Sequence, residues 1–193
     1  YKKLEAEGAL FQTTVDSETI LHLVSRAKNK DVMGAFKETL AQIEGAYSLA
    51  IMGDNFLMAA RDPYGFRPLV LAKLNGGYIV SSETCALDLI EATYIREIEP
   101  GEIVYIDKDG IKTDRIPTTK VIKPARCIFE HIYFARPDSN VFGDCVYEVR
   151  KKFGAQLARE YPVDADIVMG IPDSGNSAAM GYAVESGIPY EIG

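Results

Sequence analysis

The chain contains 193 residues with a hydrophobic fraction of 47%, a charged fraction of 25% and a formal net charge of -7. These values are typical of a globular protein with one large or two small domains, and the negative charge argues against nucleic acid or an anionic membrane as a partner. No apolar run reaches the roughly 20 residues of a membrane span, and the N-terminus lacks the hydrophobic stretch of a signal peptide.

Two helices are predicted near the N-terminus. Apolar residues recur at helical spacing over residues 16–28, and either Asp16 or Ser17 can cap the start of this helix. A second helix is predicted over residues 31–43, because the same spacing recurs there and Gly45 lies just beyond its end.

Three hairpins are predicted next, because pairs of short apolar runs flank turn residues. The paired runs are residues 47–52 with 56–60, 69–71 with 78–81, and 102–107 with 111–113. Two helices followed by a series of antiparallel hairpins indicate an α+β layered domain.

The pattern changes after the third hairpin. Residues 113–125 are poor in large apolar groups and contain two prolines, so we predict a linker at residues 116–126 between a first domain, residues 1–115, and a second domain, residues 127–193.

The second domain is predicted to begin a parallel sheet. An amphipathic helix is predicted over residues 141–161, with Val146, Val149, Phe153 and Leu157 as its apolar face. A strand at residues 165–169, a helix at 177–186 and a strand at 188–190 then form one βαβ unit. One such unit cannot form a stable sheet alone, so we expect the chain to stop inside this domain.

Residues 127–139, CIFEHIYFARPDS, combine an apolar background with a cysteine, a glutamate, a histidine, an arginine and an aspartate. An unpaired buried charge costs several kcal/mol, so we expect partners to be organised around this segment.

Four further segments combine polar groups with turn residues: TTVDSE at residues 13–18, RDPYGFRPL at 61–69, SSETCAL at 81–87 and PDSG at 172–175. Each has a structural interpretation. The loop at 61–69 is anchored by its arginines, Ser82 caps a helix with Cys85 buried, and Asp16 and Ser174 are helix caps. The alternative for PDSG is a ligand site, because ligands bind at the carboxyl ends of parallel strands.

Together these five segments resemble, in order, signatures of the glutamine phosphoribosylpyrophosphate amidotransferases. The resemblance implies an α+β and α/β architecture, a partial N-terminal-nucleophile glutaminase domain of αββα layers followed by the start of a type I phosphoribosyltransferase domain. The implied reaction converts glutamine, phosphoribosyl pyrophosphate and water to 5-phosphoribosylamine, glutamate and pyrophosphate, the first committed step of purine synthesis.

The resemblance also implies site residues. Asp16 would receive the α-amino group of glutamine, and Ser174, with Asp173 nearby, would approach Mg²⁺ and phosphoribosyl pyrophosphate. Cys127 is either one of four thiolates of a [4Fe–4S] cluster or a buried thiol. The chain has three cysteines, which cannot supply four thiolates.

Two parts of the family's machinery have no match in this sequence. The family's nucleophile is an N-terminal cysteine, whereas residue 1 is tyrosine, and no Asp-Asp pair of the phosphoribosyl-binding segment occurs. We therefore expect no catalytic residue and no activity from this chain as it stands. One alternative is a non-catalytic binding or regulatory fragment. A second alternative, less favoured, is another class II glutamine amidotransferase, because such enzymes share the loop at 61–69 but lack the segments at 127–139 and 172–175.

Partners follow from the same resemblance. Family members are homo-oligomers that purine nucleotides inhibit by feedback. The cysteines are odd in number and widely spaced, which is typical of thiols in a reducing cytoplasm.

Overall fold

In the computed structural model, which describes residues 1–192, the chain forms two units, each built from two stretches of sequence. The first unit comprises Tyr1–Gly65 and Glu99–Pro124, and the second comprises Phe66–Ile98 and the chain from Ala125 onward. Part of the predicted first domain thus groups with the second unit. The domain division drawn from the sequence stays a prediction.

The described residues contain six α-helices and nine strands. The helices are α1 (Lys2–Ala6), α2 (Glu18–Ser25), α3 (Val32–Leu40), α4 (Cys85–Asp88), α5 (Val146–Glu160) and α6 (Gly175–Ser186). The strands are β1 (Ser48–Gly53), β2 (Phe56–Arg61), β3 (Val70–Leu74), β4 (Gly77–Ser81), β5 (Thr93–Glu97), β6 (Glu102–Asp107), β7 (Gly110–Arg115), β8 (Asn140–Val141) and β9 (Asp144–Cys145). A π-helix spans Glu130–Phe134.

The first unit contains an antiparallel four-stranded sheet in the order β1-β2-β6-β7. Asp31 caps the start of helix α3, because its carboxylate accepts a hydrogen bond from the backbone N–H of Gly34. Its buried face places Phe36 and Leu40 against Met58 and Ile103 of the sheet, forming one core. The first and third predicted hairpins, β1–β2 and β6–β7, are confirmed.

The second unit contains a three-stranded antiparallel sheet in the order β4-β3-β5. The predicted β3–β4 hairpin is confirmed, with Asn75 and Gly76 in the left-handed region at its turn. Strand β5 was not predicted from the sequence, and it pairs antiparallel with β3.

Helix α5 buries a different face from the one predicted. Its buried residues are Val146, Arg150, Gly154 and Ala158. The predicted face is wrong at Phe153 and Leu157, whose exposed fractions are 39% and 50%. The physical reason is backbone contact with α6, because a Cβ atom at Gly154 or Gly181 would overlap a carbonyl oxygen of the other helix.

The predicted βαβ unit is present only in part: α6 forms, but the strands predicted at residues 165–169 and 188–190 are reduced to an isolated bridge. Val168 and Tyr190 form a parallel bridge, in which Val168 N donates to Pro189 O at 2.8 Å and Glu191 N donates to Val168 O at 2.9 Å. Residues 117–126 contain no helix or strand and are exposed except for the half-buried Ile122. Among the described helices, none has the length and apolar character needed to cross a membrane.

Candidate active site

The segment TTVDSE forms the loop before α2 and the first residue of that helix. Asp16 is exposed, and within residues 1–192 its carboxylate has no hydrogen-bond or ion-pair partner. The interpretation of Asp16 or Ser17 as a side-chain cap is wrong, because α2 begins after Ser17 without a side-chain capping bond. The Asp16 carboxylate is therefore available to a ligand.

Glu18 organises this loop. One carboxylate oxygen, Oε1, accepts from Gln12 N at 2.8 Å, and the other, Oε2, accepts from Thr13 N at 2.9 Å and Thr13 Oγ1 at 2.6 Å. The hydrogen bond from the Thr13 hydroxyl is the main cause that lowers the pKa of Glu18. Glu18 thus binds the loop, although no pattern in the sequence predicted this contact.

A cavity of about 490 Å³ lies beside the loop. Its lining comprises Gln12, Thr13, Val15, Ser17, Glu18, Ile20, Leu21, Phe36, Leu49, Ala50 and Ile51. The lining includes the neighbours of Asp16 on both sides in sequence. Its volume lies within the range of about 300–1,000 Å³ that is common for small-molecule sites.

The loop at residues 61–65 is held by buried charged groups. Arg61 is 1% exposed and donates from Nη2 to Gly65 O at 3.1 Å. The carboxylate of Asp62 accepts from Tyr64 N at 2.9 Å and from Tyr47 N at 3.3 Å. The bond of Arg61 supports the structural interpretation of this loop, in which its arginines anchor the backbone, and Asp62 provides a further anchor that was not predicted.

The segment CIFEHIYFARPDS contains the π-helix, and the charged groups of Glu130, Arg136 and Asp138 have partners as expected. The expectation is wrong for His131, whose buried Nε2 has no hydrogen-bond partner within residues 1–192. Glu130 is 3% exposed, and Arg67 Nε lies 2.7 Å from its Oε1 in an ion pair that lacks hydrogen-bond alignment. The Arg67 guanidinium also lies 4.2 Å from the centre of the Phe134 ring. Desolvation raises the pKa of Glu130, and the attraction of Arg67 opposes that rise.

A buried arginine fixes the ends of the π-helix. Arg150 is 3% exposed and donates from Nε to His131 O at 2.6 Å and from Nη2 to Ala135 O at 2.8 Å. Arg150 lies on α5, so this helix and the π-helix are joined by charge-assisted hydrogen bonds.

Glu83, in the segment SSETCAL, binds the other end of CIFEHIYFARPDS. Its Oε2 accepts from Arg136 N and from Ser139 Oγ, both at 2.8 Å. Thr84, rather than the predicted Ser82, precedes α4, and no side chain caps that helix. Cys85 is buried as predicted.

The segment PDSG leads into α6. Ser174 is half-buried and immediately precedes the helix, but its side chain makes no capping bond, so the interpretation as a side-chain cap is wrong. A Cβ atom at Gly170 would lie 2.6 Å from Asn176 Oδ1, so the chain passes close to the helix start. The hydroxyl of Ser174 therefore lies at the positive end of α6 with its lone pairs free of the helix backbone.

Comparison with known proteins identifies relatives of the whole chain. A family model described as a glutamine amidotransferase domain matches residues 1–89. The chain is 48% identical to amidophosphoribosyltransferase 1, chloroplastic, of Arabidopsis thaliana over 98% of the chain and 33% of that protein. It is 44% identical to the amidophosphoribosyltransferase of Bacillus subtilis over 100% of the chain and 40% of that protein. The chain is homologous to the amidophosphoribosyltransferases.

A solved structure of an amidophosphoribosyltransferase has the same fold. The glutamine phosphoribosylpyrophosphate amidotransferase from B. subtilis, complexed with ADP and GMP, matches with a TM-score of 0.95 and 44% identity. The match covers 100% of this chain and 42% of that one, which confirms the predicted fold class. The chain thus spans well under half of the length of each of these relatives.

Resemblance to the amidophosphoribosyltransferases implies two inorganic groups, Mg²⁺ and a [4Fe–4S] cluster, and the described residues suit them differently. Asp173 and Ser174 offer two oxygen ligands, which suits Mg²⁺ because this ion is usually bound by one or two protein ligands, waters and substrate phosphates. Cys127 is a half-buried free thiol, and no group of three His, Cys, Asp or Glu residues able to hold a metal occurs in residues 1–192. The described residues alone therefore cannot hold an iron–sulfur cluster, and Cys127 as one of four thiolate ligands stays a prediction.

Proposed function

We propose that the protein containing this chain is an amidophosphoribosyltransferase. Its reaction hydrolyses glutamine to glutamate and ammonia, and the ammonia displaces pyrophosphate from C1 of phosphoribosyl pyrophosphate to give 5-phosphoribosylamine. The observation that carries this proposal is homology over the whole chain, at 44–48% identity, to proteins of that name. The homology spans both the glutaminase-like segment TTVDSE and the phosphoribosyltransferase-like segment PDSG.

Asp16 would bind glutamine. Its exposed carboxylate is free of partners within residues 1–192, and a cavity of about 490 Å³ lies beside it. A carboxylate at a fixed position pairs with the α-ammonium group of an amino acid through charge-assisted hydrogen bonds. This contact would orient the side-chain amide for hydrolysis but would take no part in bond breaking.

Ser174 would bind phosphoribosyl pyrophosphate through its metal ion. Its hydroxyl and the carboxylate of Asp173 are the protein groups that would hold Mg²⁺, and the N-terminus of α6 adds a positive potential for the pyrophosphate oxygens. When bound, Mg²⁺ supplies charge stabilisation for the departing pyrophosphate.

Regulation and location are further parts of the proposal. The B. subtilis relative was solved with ADP and GMP, which supports inhibition of this protein by purine nucleotides. We further propose that the protein is a homo-oligomer, by analogy with the family. Cys85, Cys127 and Cys145 are free thiols, which supports a reducing compartment such as the cytoplasm.

The proposal is tested by measuring products in the full-length protein. Incubation with glutamine, phosphoribosyl pyrophosphate and Mg²⁺ should release glutamate and pyrophosphate in equal amounts, and pyrophosphate release should require both substrates. Ammonium chloride should replace glutamine. Glutamate release with no pyrophosphate release under any of these conditions would identify a different glutamine amidotransferase and refute the proposal.

A further inference from the structure

The contacts of Glu18 extend the glutamine site beyond Asp16. We propose that Glu18 is a positioning residue: although its side chain lines the cavity, its carboxylate is bound by donors of the loop and fixes the loop that holds Asp16. This inference rests on the proposed role of Asp16 in binding the α-ammonium group of glutamine. It predicts that glutamine affinity depends on a residue whose carboxylate is already occupied by the protein.

Three donors converge on the Glu18 carboxylate. The backbone N–H groups of Gln12 and Thr13 bind different oxygens, and the Thr13 hydroxyl adds a third hydrogen bond at 2.6 Å. Loop N–H groups need acceptors, and an ionised carboxylate makes shorter and stronger hydrogen bonds than a neutral acceptor does. Glu18 therefore holds residues 12 and 13 in a fixed position relative to α2.

The restraint continues to both sides of Asp16. The oxygen of the Thr13 hydroxyl accepts a hydrogen bond from Val15 N at 3.2 Å, which ties the residue before Asp16 to Glu18. The backbone carbonyl of Asp16 accepts from Thr19 N at 3.0 Å in the first turn of α2. The main chain at Asp16 is thus held from both directions, while its side chain has no partner within the described residues.

His22 and Phe11 support the same arrangement. His22 Nε2 lies 3.6 Å from Glu18 Oε1, one turn further along α2. The His22 ring lies 4.4 Å from the Phe11 ring, whose other neighbour is the ring of Tyr1 at 4.2 Å. These contacts keep residue 11, where the loop begins, against the helix that carries Glu18.

The geometry makes Glu18→Gln the informative substitution. Glu18→Gln keeps the length of the side chain but replaces one acceptor oxygen with an NH₂ donor, which must face an N–H or O–H group of the loop. The loop donor that faces this NH₂ group loses its acceptor, and the loop is no longer held at that point. Thr13→Val provides a second, isosteric probe, because it removes only the hydroxyl link between Glu18 and Val15.

The experiment measures glutamate release as a function of glutamine concentration in the full-length protein. Glu18→Gln should raise KM for glutamine roughly tenfold and leave kcat within about twofold, since a hydrogen bond to a charged group contributes on this scale. Thr13→Val should raise KM in the same direction by a smaller factor. Ammonia-dependent pyrophosphate release should not change in either variant.

Glu38→Gln is the matched control. The Glu38 carboxylate also binds a loop, through Lys28 N at 3.1 Å and Asn29 N at 3.3 Å, but it has no link to Asp16. Glu38→Gln should lower the melting temperature about as much as Glu18→Gln does, but it should not change KM for glutamine. An unchanged KM for glutamine in Glu18→Gln, or an equal rise in Glu38→Gln, would overturn the positioning role.

Asp16→Asn separates this inference from the proposed function. If Asp16→Asn raises KM for glutamine and Glu18→Gln does not, the glutamine site stands and the positioning role of Glu18 is wrong. If Asp16→Asn itself leaves KM unchanged, the proposed glutamine site is wrong.

Discussion

The hydroxyl of Ser139 donates a 2.8 Å hydrogen bond to the carboxylate of Glu83, 56 residues earlier in the chain. Ser139 is fully buried, and the same carboxylate oxygen also accepts from the backbone of Arg136. One acidic side chain therefore fixes the end of the segment CIFEHIYFARPDS. Buried hydrogen bonds to a charged group are costly to remove, because the remaining partner loses its acceptor or donor away from water.

Ser139→Ala should therefore lower the free energy of unfolding by about 1–2 kcal/mol. Urea denaturation of the wild-type and variant proteins measures this change. Ser82→Ala is the control, since Ser82 is exposed and caps no helix, and it should change stability by no more than about 0.5 kcal/mol. Equal effects of the two substitutions would show that the Glu83–Ser139 bond contributes little.

Glu130 should make the protein less stable as the pH rises, because burial disfavours its ionised carboxylate. Its pKa is raised, chiefly by desolvation, so its contribution to stability is fully present below the unfolded pKa of about 4.3 and is lost as the pH rises through the folded pKa. The difference in unfolding free energy between wild type and Glu130→Gln should thus become less favourable to wild type from pH 4 towards pH 7. Denaturant unfolding at several pH values measures it. A difference that grows with pH would show that the Arg67 ion pair outweighs desolvation.

Gly181→Ala should destabilise the α5–α6 pair. A Cβ atom at Gly181 would overlap the backbone carbonyl of Lys151, which cannot move without shifting α5. We expect a loss of about 1–3 kcal/mol, the usual cost of overpacking, in chemical denaturation. Val184→Ala on the same helix is the control: Val184 is 82% exposed, so this change should be nearly neutral. A neutral Gly181→Ala would contradict the close backbone contact.

Limited trypsin digestion should cut residues 117–126 first. This segment has no helix or strand, and it offers trypsin cleavage sites after Lys120 and Arg126, whereas Pro124 blocks cleavage after Lys123. Exposed backbone without hydrogen-bonded structure is the preferred substrate of proteases. Mass spectrometry of the first fragments identifies the site. Initial cleavage at Lys108, which is exposed but lies in the β6–β7 hairpin turn, would contradict a loosely held segment.

The sequence predicts elements whose signals are local. The hairpins around Asn75 and Gly76 and at β1–β2 and β6–β7 are predictable because their turn residues lie between short apolar runs. Strand β5 is not, because Thr93, Tyr94 and Ile95 are all exposed and show no alternation. Its position depends on pairing with β3, which is distant in sequence.

The buried face of α5 differs from the predicted one for a related reason. Hydrophobic spacing selects Phe153 and Leu157, but the contact with α6 is made where Gly154 and Gly181 let two backbones meet. Hydrophobicity does not reveal such a contact, since glycine contributes no apolar side chain. Packing between helices decides the face.

The sequence indicates the residues proposed to bind ligands but not the residues that hold them in place. Asp16 and Ser174 stand in segments that resemble family signatures, so the sequence identifies them. Glu18 and Glu83 hold backbone groups of other segments, and no spacing rule specifies which loop a carboxylate will reach. Such supports become visible only when the coordinates of the donors are known.

The most direct test of the two-site account compares Asp16→Asn with Ser174→Ala in the full-length protein. Phosphoribosylamine synthesis is measured with glutamine and with ammonia, and glutamate release is measured without phosphoribosyl pyrophosphate. The account predicts that Asp16→Asn impairs only the glutamine-dependent reaction, through a KM raised roughly tenfold or more. It predicts that Ser174→Ala impairs both syntheses and leaves glutamate release nearly unchanged. Normal ammonia-dependent synthesis by Ser174→Ala, together with a lower melting temperature, would contradict the metal-binding role of Ser174.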